Sequence, residues 1–168
     1  MSRRNLGFCL ALMVLALGGQ PRALSSQKPT RTLEMFTDNS GFYFPSGRLL
    51  YVTVFSDRSL DYMERGEKEM VIRHRRLTND QMRRLKVLLN ANGVVGPSGL
   101  LVAPARPADR DYETNLEVSI DRVGQIQRFI LRGFEPDLGR QFPQDIGELL
   151  CFIDQLRDAS YRVSSGCK

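Results

Sequence analysis

The hydrophobic and polar positions between residues 77 and 93 follow the period of an α-helix. Thr78 and Gln81 have the spacing of a capping box, in which each side chain accepts from the backbone N–H of the other residue. Asn92 and Gly93 predict a left-handed stop at the other end. A helix this short is only marginally stable alone in water, so a packing surface is expected. Four apolar residues recur on the predicted buried stripe: Met82, Leu85, Leu88 and Leu89.

A second stretch with helical spacing extends from Pro143, a residue suited to the first turn of a helix, to Ala159. Strand patterns precede each of the two helices. They cover residues 48–55, 60–63 and 69–75 before the first helix, and residues 116–120 and 125–132 before the second, while residues 33–36 are a further short candidate. We therefore predict an α+β domain with an antiparallel sheet of about five strands in the order β-β-β-α-β-β-α. Both helices are expected on one face of that sheet.

Residues 93–111 differ in composition from the predicted helices and strands. They contain three glycines and three prolines around an apolar island at residues 100–102. Long segments without regular structure are uncommon in compact domains, and many of them are functional. We expect a long binding loop here. The apolar island is interpreted as either a short edge strand or a plug over the core.

The first residues have the pattern of a secretory signal peptide. Arg3 and Arg4 precede an apolar run at residues 6–17, and small residues follow it. The run is shorter than the roughly 20 residues that a membrane-spanning helix needs, although an uncleaved anchor is the alternative. We predict a signal peptide at 1–18, a flexible lead-in at 19–32, a single domain at 33–161 and a tail at 162–168. The expected location is secreted or periplasmic, with no membrane span after cleavage.

The charge of the chain is mildly basic. Removal of the charges on Arg3 and Arg4 lowers the net charge from +5 to +3. Such a balance does not indicate nucleic-acid binding. Six basic residues are nevertheless close in sequence, and we interpret them as a solvated face balanced by nearby acids, with binding of an anionic partner as the alternative. They are Arg73, Arg75, Arg76, Arg83, Arg84 and Lys86.

Two cysteines remain after removal of the signal peptide, Cys151 and Cys167. In an oxidising compartment they are a possible disulfide. The alternative is a small buried helix residue at Cys151 and a free thiol at Cys167.

The residues that carry catalysis or bind metals in known motifs do not form a recognisable set. His74 is the only histidine, which excludes metal sites built from two or more histidines. There is no phosphate-binding glycine loop and no dinucleotide fingerprint. Asp109, Asp111 and Glu113 have alternate spacing but lack the glycine and glutamate that a calcium loop requires. We therefore predict no catalytic residue, metal or cofactor.

A candidate binding face follows from the alternation of side chains along residues 48–55. If the helices cover the face of Leu50 and Val52, then Tyr51, Thr53 and Phe55 lie on the open face. Arg73 and Arg75 are expected to join them. Aromatic and arginine side chains on an open sheet are typical of a partner surface.

These patterns favour an exported, non-catalytic binding or inhibitory domain that uses the open sheet face and the loop at 93–111. The expected partner is a protein or an envelope polymer of unknown identity. One alternative is a small hydrolase that uses Asp109, Asp111 or Glu113. Another is a structural envelope protein that self-associates through an exposed strand edge.

Overall fold

The structure, a computed structural model, describes residues 28–41, 47–65, 69–102, 112–133 and 142–157. The predicted signal peptide, most of the lead-in and the tail lie outside these residues. The described elements follow the chain in this order: β1 (Arg31–Gly41), β2 (Gly47–Phe55), β3 (Ser59–Arg65), β4 (Met70–Arg76), α1 (Asn79–Leu89), α2 (Asn92–Val95), β5 (Gly99–Val102), β6 (Tyr112–Asp121), β7 (Ile126–Arg132) and α3 (Gln144–Arg157).

The described strands form one sheet in the order β4-β3-β2-β1-β6-β7-β5. All neighbours are antiparallel except β5 and β7, which are parallel. The α+β class is confirmed, but the prediction of about five antiparallel strands and two helices is corrected to seven mixed strands and three helices. Local sequence did not indicate the parallel pair, because it joins segments far apart in the chain.

Strand β1 is much longer than the predicted candidate at 33–36. It lies at the centre of the sheet, where it pairs with β2 on one side and β6 on the other. Its second half reads as polar in sequence, with Thr37 and Asp38 where a central strand usually carries apolar residues. The two neighbouring strands supply its hydrogen-bond partners, so it needs no strong propensity of its own.

One face of the sheet forms the core with the helices. Leu33 lies opposite both Val54 and Ile120, and Met35 lies opposite Val52, so these buried side chains share a face. The helices contact one another, and the buried residues of α1 and α3 belong to the same apolar cluster. All three helices therefore cover one face, as expected for a two-layer domain.

Helix α1 begins with the predicted capping box. The N–H of Gln81 donates to Thr78 Oγ1 at 3.1 Å, and the N–H of Thr78 donates to Gln81 Oε1 at 2.9 Å. The predicted left-handed stop at residues 92–93 is wrong, because α1 ends at Leu89 and Asn90 has a φ of −96°. A tertiary contact replaces that stop: Arg122 Nη2 donates to the carbonyl of Leu89 at 2.7 Å.

The expected long loop at 93–111 is also corrected over its described part, which contains most of α2 and all of β5. The edge-strand interpretation of residues 100–102 is confirmed, because β5 is the last strand of the sheet. Gln127 Nε2 holds the segment between α2 and β5 by donating to the carbonyls of Val94 and Pro97, each at 2.8 Å. Residues 103–111 lie outside the described residues.

Cys151, in α3, is disulfide-bonded. Cys167 lies outside the described residues, so the pairing of Cys151 with Cys167 stays a prediction. None of the helices in the described part of the chain is long and apolar enough to cross a membrane.

Candidate functional site

The predicted binding face is interrupted by a bulge in β2. Met35 of β1 lies opposite Val52, and Phe36 lies opposite Leu50, so Tyr51 is the extra residue between them. A bulge breaks the two-residue alternation of a strand and re-aims the side chain of the extra residue. Tyr51 is only 5% exposed, and its hydroxyl donates to Oδ1 of Asp154 in α3. The prediction that Tyr51 lies on an open face is therefore wrong.

The other predicted binding residues do not share one surface. Thr53, opposite Glu34 on the face away from the helices, is buried, and Phe55 is half-buried. Arg73 and Arg75 belong to the helix side of β4. Arg73 Nε pairs with Glu64 Oε2 at 2.8 Å, and Arg75 Nη1 donates to the carbonyl of Leu156 at 3.0 Å.

Tyr51 instead belongs to a buried polar cluster with Asp154 and Arg157. The guanidinium of Arg157 stacks on the Tyr51 ring at 3.7 Å, and its Nη1 lies 3.3 Å from Asp154 Oδ1. Its Nη2 donates to the carbonyl of Met63 at 3.2 Å. Burial raises the pKa of Tyr51 well above its ordinary value, and the charge of Asp154 adds to that effect. The cluster joins α3 to β2 and β3, and its burial leaves little access for a substrate.

A solvent-facing groove lies at the end of the sheet, between the β2–β3 turn and α1. Its volume is about 510 Å³. Three segments contribute side chains: the turn at 56–58, the end of β4, and the face of α1 that carries positions 79, 82, 83 and 86. The lining residues are Ser56, Asp57, Arg58, Arg76, Asn79, Met82, Arg83 and Lys86. We call this feature the basic groove.

The β2–β3 turn fixes the position of Arg58, which lines the basic groove. Arg58 has a φ of 75°, in the left-handed region that non-glycine residues rarely adopt. Its N–H donates to the carbonyl of Phe55 at 3.0 Å, and its own carbonyl accepts from Leu77 N–H at 2.9 Å. Its Nη1 donates to Oδ1 of Asn79 in α1. Strain of this kind costs about 1 kcal/mol or more and persists only where the surroundings enforce it.

The charges of the basic groove are unbalanced. Among the described residues that line it, Asp57 is the one carboxylate, and it already accepts from the hydroxyl of Ser59 at 2.6 Å and from the N–H of Ser59 at 3.0 Å. These two bonds, the hydroxyl first, lower the pKa of Asp57. Arg76 and Lys86 have no ion pair within the described residues. Arg83 lies 3.3 Å from Asp80 with both side chains exposed, an arrangement that stabilises little.

The basic patch expected from the sequence is thus divided in two. Arg73 is balanced by an acid as predicted, since its Nε lies 2.8 Å from Glu64 Oε2. Arg75 Nη1 donates to the carbonyl of Leu156 at 3.0 Å, and Arg84 lies over the Phe152 ring at 4.9 Å. The remaining three cations line the basic groove together with Arg58, which is not one of the six basic residues grouped from the sequence. They are Arg76, Arg83 and Lys86.

One signal in the sequence pointed toward this groove. Asn79, Arg83 and Lys86 are spaced by four and three residues, which places them on one face of α1. What sequence did not reveal is that the β2–β3 turn and the end of β4 meet that face. Strand pairing brings Ser59 opposite Arg76 and so places the turn beside the end of β4.

The carboxylates proposed for the alternative hydrolase function do not form a site within the described residues. Asp109 and Asp111, and the side chain of Glu113, lie outside the described residues. Within the described ranges, no group of three or more His, Cys, Asp or Glu residues is arranged to hold a metal ion. Comparisons of the chain with models of known protein families and with curated proteins find no match.

Proposed function

We propose that this chain is an exported, non-catalytic binding domain that holds an anionic partner in the basic groove. The observation that carries the proposal is the imbalance of charge in that groove. Among the described residues, four cationic side chains line it, and the one lining carboxylate is engaged by Ser59. Within the described residues, an anionic group entering the groove meets Arg76 and Lys86 without displacing an ion pair of either, although the charge of Arg76 also acts on Asp57.

The arrangement is partly organised before any ligand arrives. Arg58 is held by Asn79, and α1 presents Arg83 and Lys86 from one rigid helical face. Arg58, which is fixed in this way, loses less conformational entropy on binding than a free surface side chain. The exposed end of the groove also allows its positive field to attract an anionic partner from solution.

Export is supported by two independent features. The first is the charged and apolar pattern at the beginning of the chain, with Arg3 and Arg4 before the apolar run. The second is the disulfide at Cys151, a bond that is typical of oxidising compartments outside the cytosol. Together they favour a secreted or periplasmic domain.

The proposal is tested by binding of inorganic polyphosphate to the purified chain, measured by calorimetry at low salt. The test variant is Arg83→Gln with Lys86→Gln, which removes two charges from the basic groove but keeps residues that favour a helix. We expect Kd to rise about tenfold, and the slope of log Kd against log salt to become shallower.

The matched control is Lys28→Gln with Arg128→Gln. These two exposed residues lie outside the groove, and their loss lowers the net charge by the same amount. If both double variants weaken binding equally, the affinity reflects net charge alone and the proposed site is wrong. No measurable binding to the unsubstituted chain also contradicts the proposal.

A further inference from the structure

Strand β4 forms an edge of the described sheet and leads directly into the basic groove. Within the described residues it pairs only with β3, and its last residue, Arg76, lines the groove. We infer that β4 pairs with an extended segment of a partner protein whose acidic end continues into the groove. This inference rests on the proposed function and names the class of partner.

The backbone of β4 offers the hydrogen bonds for such a pairing. In an antiparallel ladder every second residue directs its N–H and C=O away from the paired neighbour, so an edge strand presents a row of such groups. Strand β4 has 7 residues, against 4 for the opposite edge, β5. On the face of the sheet away from the helices, its Met70 and Ile72 are 47% and 49% exposed.

The side chains of β4 specify what kind of segment fits. Its first half presents Met70 and Ile72, whereas its second half is the basic run at residues 73–76. Opposite charges on directly facing residues stabilise a pair of strands, and like charges destabilise it. The matching segment therefore has aliphatic residues at one end and acidic residues beside Arg76.

The same charges disfavour a second copy of this chain as the partner. In an antiparallel pair of β4 strands centred on Arg73, that arginine faces its own copy. A cationic edge of this kind opposes self-pairing while leaving an acidic strand free to add. At about 3.3 Å per residue, seven paired residues cover roughly 23 Å, and two or three more acidic residues reach into the groove.

The inference is tested with a fluorescent peptide of about ten residues, half glutamate and half valine, by anisotropy. Two further peptides carry N-methyl groups on every second residue. One is methylated at the odd-numbered residues and the other at the even-numbered residues, and these are the two registers compared. N-methylation removes a donor without altering the protein. We expect one register to weaken binding at least tenfold and the other to weaken it less than threefold, because only one set of N–H groups faces β4.

Equal affinities for the two methylated peptides, whether both are retained or both lost, overturn strand pairing. The variant Ile72→Asp provides a protein-side test, with Ile126→Asp as the matched control on a distant exposed strand position. We expect Ile72→Asp alone to weaken the peptide about tenfold, while polyphosphate binding is unchanged. An equal effect of the two variants contradicts the inference.

These results separate the two proposals. If polyphosphate binds through Arg83 and Lys86 but the two registers are alike, strand pairing fails and the basic groove stands. If polyphosphate does not bind at all, the proposed function itself fails.

Discussion

The hydroxyl of Tyr51 in β2 donates a hydrogen bond to Oδ1 of Asp154 in α3, across 103 positions of sequence. Both residues are 5% exposed. Arg157 completes the contact by stacking on the Tyr51 ring and lying beside the Asp154 carboxylate. A buried carboxylate is costly unless it is paired and hydrogen-bonded, so these contacts satisfy Asp154 and connect α3 to β2.

Replacement of Tyr51 by phenylalanine is expected to destabilise the fold by about 1–3 kcal/mol. The substitution keeps the ring under Arg157 but removes the donor to Asp154, and a buried acceptor that loses a partner bears a desolvation cost. Urea unfolding followed by circular dichroism measures the change. Tyr62→Phe is the control, since Tyr62 is half-buried and its hydroxyl has no hydrogen bond within the described residues. Equal losses in both variants contradict the assigned role of the Tyr51 hydroxyl.

Stability is expected to fall in alkali because of the same residue. Burial, with a smaller contribution from Asp154, raises the pKa of folded Tyr51 well above the ordinary value of 10.0. The unfolded state therefore loses this proton first as pH rises. The stabilising contribution is complete below the unfolded pKa and is lost progressively above it. One such group lowers the free energy of unfolding by at most about 1.4 kcal/mol per pH unit.

This pH effect is checked by urea unfolding of wild type and Tyr51→Phe from about pH 9 to pH 11. The stability difference between the two proteins should shrink across that range. At the same pH, ultraviolet absorbance of the folded protein should also show less tyrosinate than that of the protein unfolded in urea. A difference that stays constant with pH would show that Tyr51 titrates normally.

Gly93 is expected to tolerate no side chain. Its N–H donates to Asp145 Oδ2 at 2.6 Å, and a Cβ built on Gly93 lies 2.8 Å from that same oxygen and 2.9 Å from the Asp145 Cβ. Gly93→Ala should therefore cost about 1–3 kcal/mol, because α2 has to move away from α3.

Gly96→Ala is the matched control for Gly93. Within the described residues, a Cβ at Gly96 meets only the carbonyl of Asn92, at the ordinary contact distance of 3.5 Å, and the backbone φ of −71° suits alanine. We expect this variant to be within about 0.5 kcal/mol of wild type or slightly more stable. Thermal unfolding of both variants measures the contrast, and similar stabilities would contradict the close approach of α2 and α3.

Val123 is a site where substitution should stabilise the protein. It occupies the β6–β7 turn with a φ of 49°, next to Gly124 with a φ of 89°. Arg122 and Gln125 close this two-residue turn by reciprocal backbone hydrogen bonds. Positive φ at both central residues is strained for valine and favours Asn-Gly.

Val123→Asn is expected to raise the free energy of unfolding by about 1 kcal/mol. Val123 is 101% exposed, so the change removes no buried contact. Thermal and urea unfolding provide the measurement, and Val123→Ala is the comparison because alanine lacks the local hydrogen bonding that suits asparagine to this conformation. No gain over Val123→Ala would argue against strain at this turn.

Local sequence accounts for the elements whose signals lie within a few residues. The capping box at Thr78 and Gln81 and the helical stretches that became α1 and α3 are found where the patterns predicted them. The reason is that caps, helical stripes and tight turns are decided by neighbours in the chain.

Several features depended on residues remote in sequence. Tyr51 faces α3 because β1 and β2 differ by one residue in register, which the composition of β2 does not reveal. The carbonyl of Leu89 at the end of α1 accepts from Arg122, 33 positions further along the chain.

The basic groove also depends partly on local sequence and partly on tertiary structure. Sequence alone determined an α+β domain with amphipathic helices, a mildly basic charge and the cations available for binding. Only tertiary structure decided which of those cations acquired partners, such as Arg73 with Glu64, and which remained together in one groove, such as Arg76 and Lys86. The physical reason is that electrostatic interactions depend on distance in space, and strand register sets that distance.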